Sequence, residues 1–410
     1  MDYWPISIFL LRQPPNLDYP NLAHILVAVL SFIVLCVALV IFSRMGYRVW
    51  LVALVGFLLI IGTNLAHGLQ FGLVRPIAGL GQSPAPYYDD ALTIDSPWSF
   101  LGEYQDIQLE LGMHSITHPP GPILLFYFLA RLFPSPIMIS VIMVLVSVLL
   151  VVAVMAPMLA TEFSKPLVGY ILLIFLLMPS VQAFYATSID SLIAGLFIGS
   201  FILFFIQSRW AILISLVCII MASFLTYLAL FIPAVMLGYE LWVHRRVSRT
   251  TIAVIGVSIF YIALYVVSGF NYLESFSVAS TWENSEGFLL LANPKNYIMT
   301  RVEDIAEIVL FFGPFLTLFF LEGLRRRGHD GKLLRLAQVA MIVFILMLLV
   351  GVYRTGETAR GALYFYPFLI IPVAYALNWR KDFSNREWAV LAILVFAQTL
   401  VMQLVGDYFW

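Results

Sequence analysis

Charged residues are scarce in this 410-residue chain, at 11% of the sequence. A soluble domain carries roughly a quarter of its residues as Asp, Glu, Lys and Arg, so the composition excludes an ordinary soluble protein. Hydrophobic residues make up 62% of the chain, and apolar runs near the ~20 residues that span hydrocarbon recur along nearly its whole length. The runs are too continuous for the alternating strands of a membrane barrel. The sequence therefore predicts an all-α, polytopic transmembrane protein.

The chain has only two cysteines and no net positive charge. Cys36 and Cys218 both lie inside apolar runs, which does not support a disulfide framework or a zinc site, and we interpret them as small packing residues. The net charge of -1 offers no basic surface for a nucleic acid. Soluble domains, low-complexity linkers and convincing internal repeats are missing as well. We therefore predict a single integral-membrane domain over residues 1–410 and no nucleic-acid partner.

The apolar runs predict about 12 membrane spans. They lie near 22–42, 50–68, 137–160, 166–183, 190–208, 210–225, 227–243, 251–268, 306–323, 333–352, 362–378 and 388–404. A further apolar piece, 117–133, is short and is bounded by prolines on both sides. Arg48 and Arg209 are both expected in the cytoplasm, so an even number of crossings must separate them. Five apolar segments lie between them, and we predict that 117–133 is a re-entrant or interfacial helix that does not cross.

Clusters of Lys and Arg predict which loops face the cytoplasm. They are Arg44 with Arg48, Arg209, His244-Arg245-Arg246, Arg325-Arg326-Arg327 with Lys332, and Arg380-Lys381. Three polar loops, near 70–117, 269–302 and 353–361, then fall on the extracytoplasmic side. The sequence therefore predicts a plasma-membrane protein whose polar groups gather on the outer face.

The first of these loops contains the most informative motif of the chain. The run Tyr87-Tyr88-Asp89-Asp90 is followed, 28 positions after Asp90, by His118 and two prolines. Acids placed between long apolar segments are costly near a bilayer and are usually functional. Either Asp89 or Asp90 could serve as a general base, or the acids could bind a metal. Their spacing does not demand a divalent metal, so that cofactor stays open.

The third loop contains two guanidinium groups, Arg354 and Arg360, on either side of Glu357. Guanidinium forks match the oxygens of a phosphate, so the pair suits an anionic substrate. With 117–133 not crossing, Asp190 lies on the same face as the acidic pair. Tyr88 offers a ring for a sugar or a prenyl chain. Glu103 is a weaker candidate in the first loop.

Each of these residues also has an ordinary structural interpretation. Asp89 and Asp90 could form a solvated turn, and His118 could cap the proline-rich turn. Asp190 precedes an apolar run and fits a helix N-cap. Arg354 and Arg360 could simply pair with Glu357 at the surface. Trp282 and other loop aromatics are more often part of the interfacial belt than a sugar platform.

The order of these motifs resembles the GT-C superfamily of integral-membrane glycosyltransferases, such as protein O-mannosyltransferases and lipid A aminoarabinose transferases. The acidic pair and the His-Pro-Pro at 118–120 are similar to that family's first external loop, with Gly121 where the family usually has Leu. The Met-Pro-Ser at 178–180 and the helix-initiating Asp190 form a second match. The Gly-Glu-x-x-Arg at 356–360, followed by Tyr-Pro-Phe at 366–368, is the third. Two departures are an Asp-Asp pair in place of Asp-Glu and a first loop that follows the second span.

The resemblance implies a GT-C-like fold and transfer of a sugar from a polyprenyl-phosphate-type lipid to an acceptor hydroxyl. In that interpretation Asp89 or Asp90 accepts the acceptor's proton. Arg360, with Arg354, stabilises charge on the departing phosphate. His118 and Asp190 shape the pocket, and a single attack inverts the anomeric centre. A lipid-linked sugar transporter or flippase and a non-catalytic scaffold are the alternatives, and the oligomeric state is left undetermined.

Overall fold

The fold is all-α apart from one short antiparallel bridge. A computed structural model of the chain describes residues 7–8, 21–78, 87–186, 188–285, 287–325, 331–353, 357–380 and 384–407. The bridge pairs Ser7–Ile8 (β1) with Gly406–Asp407 (β2). The chain is therefore a multi-pass helical membrane protein, as its composition predicts.

The helices differ widely in length, from one turn to 24 residues. They are α1 (Leu22–Met45), α2 (Val49–Ala66), α3 (Tyr87–Leu92), α4 (Pro97–Ile107), α5 (Met113–Ile116), α6 (Gly121–Leu132), α7 (Pro136–Leu159), α8 (Lys165–Leu177), α9 (Pro179–Phe184), α10 (Asp190–Ser200), α11 (Arg209–Leu225), α12 (Phe231–Val243), α13 (Ser248–Ser268), α14 (Tyr272–Glu283), α15 (Leu289–Ala292), α16 (Pro294–Phe312), α17 (Pro314–Arg325), α18 (Lys332–Leu349), α19 (Thr358–Gly361), α20 (Tyr366–Trp379) and α21 (Asn385–Val405). Short 3-10 turns at Gln108–Glu110, Ile202–Phe204, Tyr227–Leu230 and Leu363–Phe365, and a π turn at Gln70–Val74, join some of them.

Only half of the 12 predicted spans have the length of a membrane span. Six helices of the described chain, α1, α2, α7, α13, α18 and α21, are long and apolar enough to cross, and a bent pair raises the number to seven. The prediction of 12 is wrong by this measure because several apolar runs form shorter helices. The 13 residues of α8 extend about 20 Å, against about 30 Å of hydrocarbon. Every residue of α8 after its first two is buried, and sequence alone does not separate apolar surface that faces protein from surface that faces lipid.

The predicted span at 306–323 is broken in the middle. Helices α16 and α17 meet at Gly313 with a bend of 101°. Gly313 has a φ of +100°, which favours glycine, and Pro314 has no N–H to continue the hydrogen-bond ladder. The glycine-proline pair therefore ends one helix and starts the next in a new direction.

The segment 117–133 forms the short helix α6, whose 12 residues extend about 18 Å. The parity argument that predicted a re-entrant or interfacial helix here no longer applies. Among the described residues between Arg48 and Arg209, only α2 and α7 have the length of a span, and two crossings are already an even number.

The predicted polar loops are partly helical. Residues 70–117 include α3, α4 and α5, and residues 269–302 include α14, α15 and the start of α16. The long outer segments therefore carry ordered elements that can hold side chains in place.

Helix α10 and its 3-10 continuation connect two polar ends of the helical bundle. From Asp190 to Phe204 the chain rises about 21 Å. The ring of Phe204 contacts Tyr239 at 5.0 Å between centroids and lies 5.5 Å from the guanidinium of Arg249. We call this the basic end, because His244, Arg249, Lys332 and Arg335 gather there around Glu162 and Glu240. The opposite end begins at Asp190.

Candidate functional site

The first side of the candidate site is the turn that leads into α6, and Asp90 holds it. The Asp90 carboxylate accepts hydrogen bonds from the Gly112 backbone N–H, at 3.1 Å to Oδ2, and from the Ser115 hydroxyl. Gly112 and Ser115 frame the start of α5, so the carboxylate acts as a cap supplied by another helix. Asp90 is therefore placed to fix the chain between residues 112 and 118.

Two more buried side chains support the same turn: Tyr104 on α4 and Gln108 in the 3-10 turn that follows it. The Tyr104 hydroxyl lies 2.7 Å from the carbonyl oxygen of His118 and 3.0 Å from that of Ser115. The fully buried Gln108 amide donates to the Ile116 carbonyl at 2.8 Å and to the Ser275 carbonyl at 3.1 Å. The His118 turn is thus bound on its inner side by hydrogen bonds to its backbone.

His118 is oriented by its own turn. Its Nδ1 lies 2.9 Å from the His114 carbonyl oxygen. A carbonyl only accepts, so Nδ1 carries the proton and Nε2 of the neutral ring is an acceptor. Burial lowers the pKa of His118 to about 4; the His114 carbonyl raises this pKa, the Arg360 guanidinium lowers it and the Glu357 carboxylate raises it. The ring is therefore neutral near pH 7.

Tyr87 joins the two sides of the site. Its ring meets the ring of His118 edge-on, with centroids 5.4 Å apart. Burial raises the pKa of the Tyr87 hydroxyl well above its usual range, Asp190 and Glu357 raise it further, and Arg360 lowers it. Side chains from α10 and from α19 with its N-cap thus lie within electrostatic reach of this phenol of α3.

The second side of the site is the late segment 357–361. Arg360 and Glu357 form an ion pair with 3.3 Å between Nη2 and Oε2, and their side chains are 17% and 41% exposed. Helix α9 packs against α19, and α10 packs against the 3-10 turn at 363–365. These contacts carry Arg360 to the first turn of α10, where Asp190 lies.

The predicted site residues therefore divide into groups. The His118 ring contacts Tyr87, and Asp190, Glu357 and Arg360 lie within electrostatic reach of the Tyr87 hydroxyl. Asp90 is adjacent and supports the turn. Asp89 is half-buried on the same short helix, about 100° around the axis from Asp90.

The other predicted residues lie elsewhere. Tyr88 packs edge-on against Phe126, at 6.4 Å between centroids. Glu103 is exposed on α4, and no described contact joins it to the cluster. Arg354 lies outside the described residues.

Sequence reasoning missed three buried polar residues that shape the site: Gln108 in the first segment, and Asp304 and Glu307 on α16. The two acids are fully buried. Two acids three positions apart at the edge of an apolar run are rare in a membrane protein, because burying them costs free energy. This spacing in the sequence could have identified Asp304 and Glu307. Gln108 gave no comparable signal, because a glutamine between short polar helices is ordinary.

A metal-binding arrangement does not emerge from the described side chains. Within those ranges no three or more His, Cys, Asp or Glu residues lie together so that they could hold a metal ion. What the residues offer is an acceptor nitrogen, carboxylates and a guanidinium on facing sides.

Comparison with known proteins does not assign the chain to a family. No protein-family profile matches it, and no curated protein is detectably similar in sequence. The resemblance to GT-C enzymes therefore depends on the motifs alone.

Proposed function

We propose that this protein is a GT-C-like glycosyltransferase that moves a sugar from a polyprenyl-phosphate-type lipid to an acceptor hydroxyl, on the extracytoplasmic face of a cell membrane. The observation that carries the proposal is the convergence of His118, Asp190, Glu357 and Arg360 around Tyr87. These residues come from three distant parts of the sequence. Neither helix packing nor capping requires a guanidinium, two carboxylates and a neutral imidazole at one place.

The proposed reaction uses these groups in a single displacement. The acceptor oxygen forms a bond to the anomeric carbon, the bond from that carbon to the phosphate oxygen breaks, and its electron pair leaves with the phosphate. The acceptor's proton passes to a carboxylate. Arg360 stabilises the charge that grows on the phosphate, a type of interaction that is often the largest contribution to catalysis. One attack inverts the anomeric centre.

Either acid of the pair can accept the proton in this reaction, and Asp90 is also a positioning residue. Asp90 already accepts from Gly112 and Ser115, which occupies a large part of its capacity as an acceptor. Nε2 of His118 and the carboxylate of Asp190 would then orient the acceptor hydroxyl or the sugar. Arg354 remains a second candidate for the phosphate.

The test uses the full chain reconstituted in lipid vesicles with radiolabelled sugars on polyprenyl monophosphate and on polyprenyl diphosphate. We expect transfer from one of the two donors and a loss of about 10²–10⁴-fold in at least one of the variants Asp89→Asn and Asp90→Asn, the usual contribution of a general base. Full activity in both variants would contradict the assignment of the acids. Glycolipid profiling of cells that lack the protein would identify the acceptor.

A lipid-linked sugar transporter is the second candidate, and the bent pair α16–α17 favours it. Interrupted helices often form carrier sites, and this pair turns by 101° at Gly313. The same vesicles separate the two functions. A transporter would move the labelled lipid between leaflets with its sugar-phosphate bond intact, whereas a transferase breaks that bond.

A further inference from the structure

Helix α16 presents a row of polar side chains toward the segment that carries Arg360. Tyr297, Arg301, Asp304 and Glu307 recur at intervals of three or four residues, so they share one face of the helix. Asp304 and Glu307 are fully buried. A buried carboxylate is costly unless it is hydrogen-bonded or paired, so the partners of these two acids indicate their role.

Both carboxylates bind the start of α19. Asp304 Oδ1 accepts from the Thr358 hydroxyl at 2.5 Å. Glu307 Oε2 accepts from the Ala359 backbone N–H at 3.2 Å. Thr358 and Ala359 are themselves buried, and the next residue is Arg360. The two residues immediately before Arg360 are therefore both attached to α16, Thr358 through its hydroxyl and Ala359 through its backbone.

Arg301 attaches the chain on the other side of the same segment. Its guanidinium lies 3.1 Å from Asp304 Oδ2 and donates to the carbonyl oxygens of Leu348, at 2.7 Å, and Tyr353, at 2.9 Å. Tyr353 precedes the segment and Thr358 begins α19. Helix α16 thus holds the chain on both sides of residues 354–357.

Helix α19 is too short to be stable without contacts to its neighbours. Helix α19 has four residues, a single turn, and one turn fixes several dihedral angles for very few hydrogen bonds. Without α16 the position of Arg360 would depend on that turn and on the packing of α9 against it. The same is not true of long helices, which retain their shape when one cap is lost.

We propose that Asp304, Glu307 and Thr358 are positioning residues that hold Arg360 where it binds the phosphate of the lipid substrate. This inference depends on the proposed function, because it assigns a task to Arg360. The residues act through the backbone of α19 and do not touch the substrate.

The experiment compares variants of the full chain in detergent. Thr358→Val removes the hydroxyl at nearly constant volume, Thr358→Ser keeps it, and Glu307→Gln weakens the second contact. Thr399→Val is the matched control, since Thr399 is also buried and donates to a carbonyl, that of Leu177, away from α19. Arg360→Gln gives the reference for a missing guanidinium.

Two measurements are made on each variant. The first is the ratio of the dissociation constants of farnesol and farnesyl monophosphate, which isolates the contribution of the phosphate. The second is hydrogen exchange of the backbone amides in residues 357–362. We expect Thr358→Val to lower the phosphate preference about tenfold and to speed exchange, the size of effect that one hydrogen bond to a charged group allows. Thr358→Ser and Thr399→Val should keep both near the starting values.

The outcomes separate this inference from the proposed function. Loss of the phosphate preference in Arg360→Gln but not in Thr358→Val or Glu307→Gln would overturn the inference alone. An equal loss in Thr399→Val would also overturn it, since general destabilisation would then explain the effect. An unchanged preference in Arg360→Gln would overturn the role of Arg360 and with it this inference, whereas the proposed function fails only if the vesicles show no transfer from either donor.

Discussion

The two polar ends of the molecule use charge in different ways. At the basic end, the buried Glu240 accepts from the backbone N–H groups of Arg249, at 3.0 Å, and Thr250, at 2.8 Å, and so caps α13. Glu162 accepts from the Leu333 N–H at 3.0 Å and from the Tyr375 hydroxyl, and so caps α18. At the opposite end Glu357 pairs with a side chain, Arg360, and is partly exposed.

The difference gives a way to separate structural from functional charges in a membrane protein. A carboxylate whose partners are the first N–H groups of another helix has a structural task, because those donors have no partner within their own helix. Asp90 and Glu307 belong to this class although they lie near the site. A charge that meets other side chains beside partly exposed surface fits a role in substrate binding. Asp190, Glu357 and Arg360 are the proposed members of this second class.

The largest expected effect compares two arginines. Arg360→Gln should lower the rate of sugar transfer by about 10²–10³-fold, the usual cost of removing one preorganised donor, with little change in melting temperature. Arg249→Gln should do the opposite, because its guanidinium donates to the Leu203 carbonyl at 2.7 Å inside the basic end. Initial rates in vesicles and thermal unfolding in detergent measure both. Equal loss of rate in the two variants would remove the distinction between the ends.

Next in size is the loss of a cap at the basic end. Glu240→Gln should destabilise the protein by about 1.5–3 kcal/mol, the range for a hydrogen bond to a charged group, because one of the buried donors at the start of α13 loses its carboxylate. Denaturant or thermal unfolding shows the change, and the transfer rate per folded molecule should stay constant. A melting temperature equal to that of the unchanged protein would mean that Glu240 is not a structural cap.

A pH dependence of stability should arise from His118. Burial lowers the pKa of the folded residue from 6.5 to about 4, so the unfolded chain takes up the proton first as the pH falls. The stability that this residue contributes is therefore fully present above pH 6.5 and is lost as the pH falls toward 4. Melting temperatures between pH 4 and 7 should depend less on pH in His118→Gln. The exposed His244 gives the comparison variant: partial burial and the nearby Arg249 also lower its pKa, but the shift is smaller, so His244→Gln should flatten the profile less than His118→Gln.

The same histidine can test the convergence directly. Arg360 is one of the groups that lower the pKa of His118, so Arg360→Gln should raise that pKa. Titration of the imidazole by NMR measures the shift. An unaltered pKa would mean that the two sides of the site are farther apart than the structure places them.

The smallest expected effect is at the surface. Arg380 and Glu322 form an ion pair at 2.6 Å, but the Arg380 side chain is 44% exposed. Arg380→Gln should therefore change stability by less than about 1 kcal/mol and leave transfer unchanged. A larger loss of stability would show that this ion pair contributes more to the free energy of unfolding than an exposed pair usually does.

The sequence predicted the positions of most helices, because apolar runs bounded by polar or proline-rich segments mark where helices begin and end. It did not predict the span count, since a run such as 165–177 is equally apolar whether its neighbours are lipid or protein. The glycine-proline pair at 313–314 is a signal for a break, but the apolar run around it predicts a continuous span over 306–323.

For the site, the motifs identified His118, Asp190, Glu357 and Arg360 as candidates, and the fold brings them together. The contact of Asp90 with Gly112 and Ser115 was not predictable, because the direction of a side chain depends on how the short helices pack. The hold of α16 on α19 depends on residues more than 50 positions apart, and no local pattern signals it.

The bridge between Ser7–Ile8 and Gly406–Asp407 constrains the whole path of the polypeptide. Since the two paired segments lie side by side, the chain between them must return to the leaflet from which it set out. The total of complete traverses is then even. The six long helices already make an even number. If the bent pair α16–α17 also crosses the membrane, at least one of the shorter apolar helices must cross it too.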